Sequence, residues 1–569
     1  MNRSADSSRV TALDVTFIFC LCLIVYANSF GVGWISDDVR FIKSNPGIRS
    51  LSNTGEFFTN PADTAASTGR EGIYRPLRTL SFAIDYAIWG ANPFGFHVTS
   101  FVLHFVSSVL VFLLCMSLDA GRRSALVASA LFAAHPAQVE AITWISSRAD
   151  CMATVFLLIS FLLFVRARKE KGSVPVLLGG SWLCFLLALL SKETAIVLPA
   201  LLITYDIFAG KMRVKALRSR LVEYCLFIGL AVTYFAARAR LLQMVSQGGY
   251  WGGSLVATML TMAKCFLIYL RIVFLPRASS CLEYMVPLAG FPLTFAIVWP
   301  LILVAIFVTA TIAVWRLSPR AGFGLSWYLI ALAPVSNVLP MSMLMAERFL
   351  YFPMVGICIA ALPIMETATR KRSRRVHLMA NASFCALLFL LGVTSVVKNS
   401  AWRDPVVLWN QSLHDYPDSY RARMGLAGEY YDRGENLEAI KQYGIALRLF
   451  PNVQVMHDIG NAYRQVGDIA SAIAAYRAAL AMDPNSSWTL TSLGIAYMKQ
   501  GKMDQAIEVL QRATEIDKSY AAAHFFLGNA LAEEGDLETA LKEYRTALVY
   551  APDAEEVRRR IADIERRQK

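Results

Sequence analysis

Asp37 and Asp38 stand side by side in Gly33-Trp34-Ile35-Ser36-Asp37-Asp38, just after the first long apolar run. Two adjacent carboxylates at a bilayer surface repel one another and are costly to desolvate, so such a pair suits a proton acceptor or a site that needs negative charge. A solvated helix-flanking loop is the plain alternative for any acidic doublet. Other groups able to bind an anion or order a sugar recur in later loops. Arg75 lies in Tyr74-Arg75-Pro76-Leu77-Arg78, where it can bind a lipid phosphate or simply snorkel. His135 and Glu140 open a loop that continues through Trp144 and Ile145 to Arg148 and Asp150; Lys192 and Glu193 follow Ser191; Glu347 and Arg348 precede Phe349. Taken singly, each has a structural reading. A histidine near a helix end is usually structural, and Arg148 with Asp150, or Glu347 with Arg348, can be an ion pair that closes a helix bundle.

The elements that must position these residues follow from composition. The 569 residues are 56% hydrophobic and only 17% charged, against roughly 25% charged in a soluble domain, with a mean hydropathy of +0.45. A polytopic membrane protein is predicted. The net charge of +13 is concentrated in short loops between apolar runs and at the C-terminus, which is a topology signal and not the footprint of a nucleic-acid partner. Nine of the 10 cysteines lie in or beside apolar runs and none forms CxxC, so neither a disulfide framework nor a zinc site is indicated.

Helix-length apolar runs fall near 13–30, 96–118, 124–134, 151–165, 174–190, 195–208, 221–236, 291–315, 323–339, 349–365 and 378–397, about eleven spans. Met1–Arg9 and the first run read as a retained signal anchor with its N-terminus inside. Basic clusters at 166–171, 211–220 and 370–375 mark inner loops. The run 255–275 carries Lys264 and Arg271 on one helix face, so it is expected to be re-entrant or interfacial, which keeps two cations out of hydrocarbon. Residues 31–96 then form a large outer loop, with an amphipathic helix after Pro76 lying on the bilayer surface. By this parity all the candidate residues share the outer side, and structural ion pairs alone have little reason to segregate so strongly.

The C-terminal part is a different material. Gly467, Gly501 and Gly535 recur at intervals of 34, as do Pro417 and Pro451, the period of a tetratricopeptide array. Ala427, Gly460, Gly494 and Gly528 mark close helix approach; Ala439, Ala472, Ala506 and Ala540 repeat in the second helix, and Tyr430, Tyr463 and Tyr497 pack as aromatics. The predicted division is 1–398 as a membrane domain, 399–419 as a linker, 420–554 as four repeats and 555–569 as a polar capping helix. The fold class is all-α: a membrane helix bundle followed by an α-solenoid.

Taken in order, the acidic pair after the first helix, the Tyr-Arg-Pro-Leu segment at 74–77, His135 to Asp150, Ser191-Lys192-Glu193-Thr194, Glu347 to Pro353 and the repeats resemble the transmembrane and tetratricopeptide-repeat O-mannosyltransferases and their bacterial relatives. The likeness covers nearly the whole chain, although the repeat array is shorter than in the animal proteins. The resemblance implies the GT-C glycosyltransferase superfamily, with a polyprenyl-phosphate-linked sugar as donor and the acidic motif in the first outer loop. It implies Asp37 or Asp38 as base toward a serine or threonine hydroxyl, single displacement with inversion, and cationic stabilisation of the departing phosphate by Arg75, Arg148, Lys192 or Arg348. His135, Glu140, Asp150, Glu193 and Glu347 would order those cations or the sugar. The sequence specifies no cofactor; two adjacent carboxylates can hold a divalent metal, and any such ion would sit at Asp37 and Asp38. The implied partners are the donor lipid, membrane lipid and a protein acceptor held by the repeats, in a bacterial inner membrane with periplasmic repeats or in the endoplasmic reticulum with lumenal ones. A same-fold transferase acting on an envelope glycan or lipid, and a non-enzymatic membrane-anchored repeat scaffold, are the alternatives. A scaffold needs one or two anchoring helices, not eleven.

Overall fold

The computed structural model describes residues 11–60, 73–169, 174–210, 214–242, 249–282, 284–289, 294–369, 374–552 and 554–567, and among these there is helix but no strand. Met1–Arg9 and the basic residues 370–373 lie outside the described residues. The chain forms two compact units, Met1–Leu408 and Trp409–Lys569.

Among the described residues of the first unit eight helices are long and apolar enough to cross a membrane: Ala12–Gly31, Pro93–Ser117, Ile145–Lys169, Val174–Ser191, Arg220–Leu242, Leu255–Phe274, Phe295–Leu317 and Arg375–Ala401. A ninth is possible if Arg122–Ala134 and Pro136–Thr143 together make one span bent by 52°. The bend has a local cause: Pro136 forces the residue before it out of helical geometry, and His135 has ψ 130°. Three further expected spans are shorter helices, Leu198–Phe208, Pro319–Leu332 and Pro353–Thr369. Leu255–Phe274, expected to be re-entrant or interfacial, is one unbroken helix of 20 residues, about 30 Å long. It is therefore not re-entrant, and Lys264 reaches the backbone oxygen of Pro287 at 3.0 Å.

The helix Pro76–Trp89 starts on a proline, whose fixed φ and missing N–H suit the first helical position. Its inward face carries the polar Arg78, Thr79 and Asp85 beside Phe82, while Ile84 and Ile88 are exposed. That inversion presents apolar side chains outward, as a helix at a lipid surface does, and brings charge into the protein.

In the second unit four helix pairs run from Tyr420–Asp432 with Asn436–Leu449 to Ala521–Glu534 with Leu537–Tyr550, and Glu555–Arg567 closes the stack. Gly434, Gly467, Gly501 and Gly535 turn the first helix of each pair into the second at φ between +74° and +99°, a region costly for other residues. A Cβ on Gly460 or Gly494 would lie 2.5 Å from Tyr476 or Leu510 respectively. Residues 399–419, expected as a linker, instead carry the helix Pro405–Asp415.

Candidate functional site

Ser36 takes a positive φ of 50°, unusual for a residue with a Cβ, immediately before the acidic pair. The turn it makes is closed by the Asp38 N–H bonding to the Ile35 oxygen at 3.0 Å, and Val39–Lys43 continues as a π-helical turn, a form that often marks functional sites. This geometry separates the two carboxylates. Asp38 is only 1% exposed; its Oδ1 accepts from the N–H of Ser146 at 2.8 Å and from its Oγ at 2.5 Å, and Oδ2 accepts from the N–H of Ile35 at 3.4 Å. Asp37 is half-buried. Burial pushes the Asp38 carboxyl up to about 7, with the Ser146 bonds pulling it back and Asp37 adding to the rise.

Ser146 also meets Arg78. The Arg78 Nη1 donates to the Ser146 carbonyl at 3.5 Å, its guanidinium lies 4.6 Å from the centre of the Phe41 ring, and its buried Nε has no hydrogen-bond partner among the described residues. Arg78 is 2% exposed. Burial and the neighbouring Arg75 lower it to about 9, while Asp37, Glu193 and Asp38 work against that. One serine thus joins a buried carboxyl to a buried cation.

Around this core the charged residues pair across helices, not with their sequence neighbours. Arg75 forks onto Glu193, Nε at 3.0 Å and Nη2 at 2.6 Å, the bidentate geometry that favours arginine over lysine. Burial would raise Glu193, but Arg75, helped by Lys192 and Arg238, holds it well below the usual carboxylate range. Lys192 reaches Asp150 at 2.5 Å, and burial lowers its ammonium against the pull of that carboxylate. Arg148 pairs with Asp85 at 2.6 Å and donates to Ser100, Ser81 and the Phe96 carbonyl. Glu140 takes the Arg348 guanidinium and, at 3.0 Å, its backbone N–H. Glu347 accepts from Lys398 and from the Tyr284 hydroxyl, the latter at 2.5 Å. Neither expected local pair, Arg148 with Asp150 or Glu347 with Arg348, is among these ion pairs.

The structure brings Asp37, Asp38, Arg75, Glu140, Arg148, Asp150, Lys192, Glu193, Glu347 and Arg348 to one set of connected helix ends, but paired charge is not confined to that end. The opposite ends of the same helices are also laced by ion pairs: Asp14 with Arg122, Lys169 with Asp119, Arg320 with Glu366, and Asp206 with both Arg168 and Arg220. Closing a bundle needs such pairs at both ends. What sets the first end apart is the acidic doublet with the fully buried Arg78 next to it; an arginine nitrogen without a hydrogen-bond partner is found at the other end too, on Arg320. His135 acts as a cap: its Nδ1 accepts from Ala137 N–H at 3.1 Å and its Nε2 lies 2.9 Å from the Val273 carbonyl, so both ring nitrogens are engaged. Among the described residues no three His, Cys, Asp or Glu side chains converge as a metal site. The Asp38 oxygens face protein donors, a poor start for a metal ligand.

Residues 76–237 match the model of the dolichyl-phosphate-mannose-protein mannosyltransferase family, and residues 429–487, 463–524 and 521–554 match tetratricopeptide repeats. Protein O-mannosyl-transferase TMTC1 of Homo sapiens is 26% identical over 502 residues, 79% of this chain and 56% of that one. Protein O-mannosyl-transferase F38B6.6 of Caenorhabditis elegans is 24% identical over 456 residues, 78% of this chain and 63% of that one. The chain is related to the protein O-mannosyl-transferases. A shorter, stronger match, 34% over 231 residues, joins 38% of the chain to 24% of protein O-mannosyl-transferase Tmtc2 of Drosophila melanogaster. The chain thus spans between a quarter and two thirds of the length of these three curated relatives. The mannosyltransferase match begins at Pro76, so it holds Arg78, Glu140, Arg148, Asp150, Lys192 and Glu193 and leaves the acidic pair and Arg348 outside.

Sequence reasoning missed Arg78, Asp85, Ser146, Tyr284 and Lys398. Arg78 and Asp85 carried a signal: seven residues apart, they fall on one face of the helix after Pro76, as Lys264 and Arg271 do on theirs. Ser146 and Tyr284 carried none, because their roles depend on partners more than 60 residues away.

Proposed function

We propose that this chain is a membrane glycosyltransferase that moves a mannosyl residue from a polyprenyl-phosphate donor to serine or threonine hydroxyls of a protein. Asp37 takes the hydroxyl proton, the hydroxyl oxygen attacks the anomeric carbon, and the bond to the phosphate breaks with its electron pair leaving on phosphate. The products are the O-mannosyl protein, with inverted configuration, and polyprenyl phosphate. Asp38 is a positioning residue, spent on Ser146 and Ile35. Arg75 is the cation best suited to meet the leaving phosphate, with Glu193 as its resting partner; Arg348 and Lys192 are further cations of the same end, whereas the donors of Arg148 are spent on Asp85, Ser81, Ser100 and Phe96. The site and the repeats belong on the outer side of the membrane in this reading, and the repeats engage the acceptor protein.

The observation that carries the reading is the division of labour in the acidic pair, one carboxyl buried and hydrogen-bonded and its neighbour half-buried near Arg78, in a chain aligned with protein O-mannosyl-transferases over most of its length. The test is transfer of radiolabelled mannose from membrane polyprenyl-phosphate donors to the protein fraction. Protease-sensitive label that disappears with Asp37→Asn supports the reading. Label that resists protease transfers the acceptor role to a glycan or lipid, and no label from any polyprenyl-phosphate sugar, with the variant and parent equally folded, overturns it.

A further inference from the structure

Two asparagines of the repeat array occupy one place in its register: Asn461 follows Gly460, and Asn529 follows Gly528 two repeats later. In each case a buried tyrosine of the second helix donates its hydroxyl hydrogen to the amide oxygen, Tyr476 to Asn461 Oδ1 at 2.8 Å and Tyr544 to Asn529 Oδ1 at 2.7 Å. The tyrosine by itself does not account for the asparagine. Tyr443 holds the same position in the first repeat opposite Gly428, which has no side chain to offer, and in the third repeat both places are apolar, Ile495 and Leu510. With Oδ1 taken by the tyrosine, each amide is held one way round, and its Nδ2 keeps two N–H donors with no partner among the described residues.

A cavity of about 470 Å³ opens on the same face of the array, within the size range of ligand sites. Pairs of residues one period apart line it: Ile495 with Asn529, Met498 with Ala532, and Lys499 with Glu533. The groove therefore follows the first helices of successive repeats, and one further period back it reaches Asn461, Arg464 and Gln465. Ile495, Met498 and Phe526 supply half-buried apolar surface, whereas Lys499, Glu533 and, from the closing helix, Arg560 are exposed. Oriented amide donors thus stand two repeats apart, with apolar surface on the repeat between them. An extended polypeptide offers what this pattern needs, carbonyl acceptors along the backbone and side chains that alternate between its two sides. An acyl chain offers no acceptor along its length, and charges of both signs beside the groove do not suit one.

We infer that this groove takes an extended segment of the acceptor protein, with backbone carbonyls on the Nδ2 groups of Asn461 and Asn529 and one large apolar side chain against Ile495, Met498 and Phe526. The inference rests on the reading above that the repeats engage the acceptor. It narrows the acceptor to proteins that present an apolar residue on a stretch whose backbone is not yet hydrogen-bonded.

The test is fluorescence anisotropy with the full chain in phosphatidylcholine vesicles, without any sugar donor. The probes are two labelled peptides of alternating serine and glycine, one with leucine at its centre and the other with glycine there. The leucine peptide is expected to bind at least about tenfold tighter than the glycine peptide, and Met498→Gln, of similar size, to lower that preference. Asn529→Asp keeps an acceptor for Tyr544 but removes both donors, so affinity for the leucine peptide should fall roughly fivefold. Asn485→Asp adds the same charge on an exposed turn of the array and should leave affinity unchanged. Equal affinity for the two peptides, or binding of neither, overturns the inference in the parent chain alone. So does parent affinity in Asn529→Asp, or an equal loss in Asn485→Asp. Self-association of the chain that the leucine peptide displaces also overturns it, and hands the groove to a second copy. Because no donor is present, binding is scored apart from transfer: a chain that labels protein without binding the peptides sinks this inference alone, and one that binds them but transfers nothing sinks the proposed activity alone.

Discussion

Replacing each acid of the pair by its amide separates the two roles. Asp37→Asn removes a proton acceptor while keeping size and polarity. General base catalysis contributes about 100- to 10,000-fold, so kcat for mannosyl transfer is expected to fall at least about 100-fold, roughly 3 kcal/mol of transition-state stabilisation, with little change in donor KM. Asp38→Asn acts differently. Its side-chain oxygen can still accept both bonds from Ser146, but the amide nitrogen would stand where Oδ2 now accepts from Ile35 N–H at 3.4 Å. One donor then faces another, at a cost of about 1–3 kcal/mol in folding stability. The measurement is kcat and KM for transfer in reconstituted vesicles, with thermal unfolding followed in parallel. The expected pattern is a stable, inactive Asp37 variant and a less stable Asp38 variant whose kcat falls less than about tenfold. A stable, inactive Asp38→Asn with an active Asp37→Asn would refute the assignment of the base, because the buried, fully bonded carboxyl would then be the one in use.

The same pair carries a pH signature: the Asp38 carboxyl is raised from its ordinary value to about 7, so its contribution to stability is fully present below about pH 4 and is lost as pH rises through 7; melting temperature should decline from pH 5 to 8, and Asp38→Asn should flatten that slope. Arg78→Gln deletes the buried cation beside Asp37 and is expected to move the acidic limb of the kcat profile to higher pH, a readout that a purely structural role would leave in place. Glu140→Gln leaves the Arg348 guanidinium short of its counter-charge in a buried setting and should cost about 3 kcal/mol in unfolding experiments, since breaking a pair from one side strands the other ion. In the repeats, Gly494→Ala places a Cβ 2.5 Å from Leu510 Cγ and should destabilise the array by about 1–3 kcal/mol. Gly444→Ala, on a helix with nothing within 4 Å of its Cβ, should be neutral or stabilising by up to about 1 kcal/mol, and calorimetry of both variants checks the contrast.

How much of this was legible in the sequence depends on whether a feature is set by periodicity or by long-range contact. The repeats are periodic, so Gly467, Gly501 and Gly535 announced both the period and the turns that need positive φ, and the glycines at 460, 494 and 528 announced the close approach of the paired helices. Apolar length was equally readable for most of the membrane helices. It is less decisive at 255–275, where two cations suggest a re-entrant or interfacial segment and the unbroken helix excludes only re-entry; Lys264 finds a backbone carbonyl at Pro287, and Arg271 lies at the helix end where its cost is smallest.

The charged residues were recognisable as a set, but their partners were not, because each ion pair joins helices far apart in the chain and a sequence displays only neighbours. That limit explains why a sequence sets Arg148 beside Asp150 when its partner is Asp85, and why segregation of charge to one side reads as a mark of the site when paired charge occurs at both helix ends. A bundle that must hold charge at both membrane boundaries will pair it at both. The discriminating features are therefore two carboxyls set at different depths and an arginine at 78 buried beside them; a positive φ and an unmet arginine donor alone do not discriminate, since Asp119 and Arg320 carry them at the opposite end. Both discriminating features cost stability, and neither is needed to close a bundle. Their convergence on Ser146 ties the first loop to the start of the helix that carries Arg148 and Asp150. A disturbance at Asp38 should reach Asp37 through their shared backbone and one at Arg78 through its charge, while a change at Ser146 should reach it through both of these neighbours.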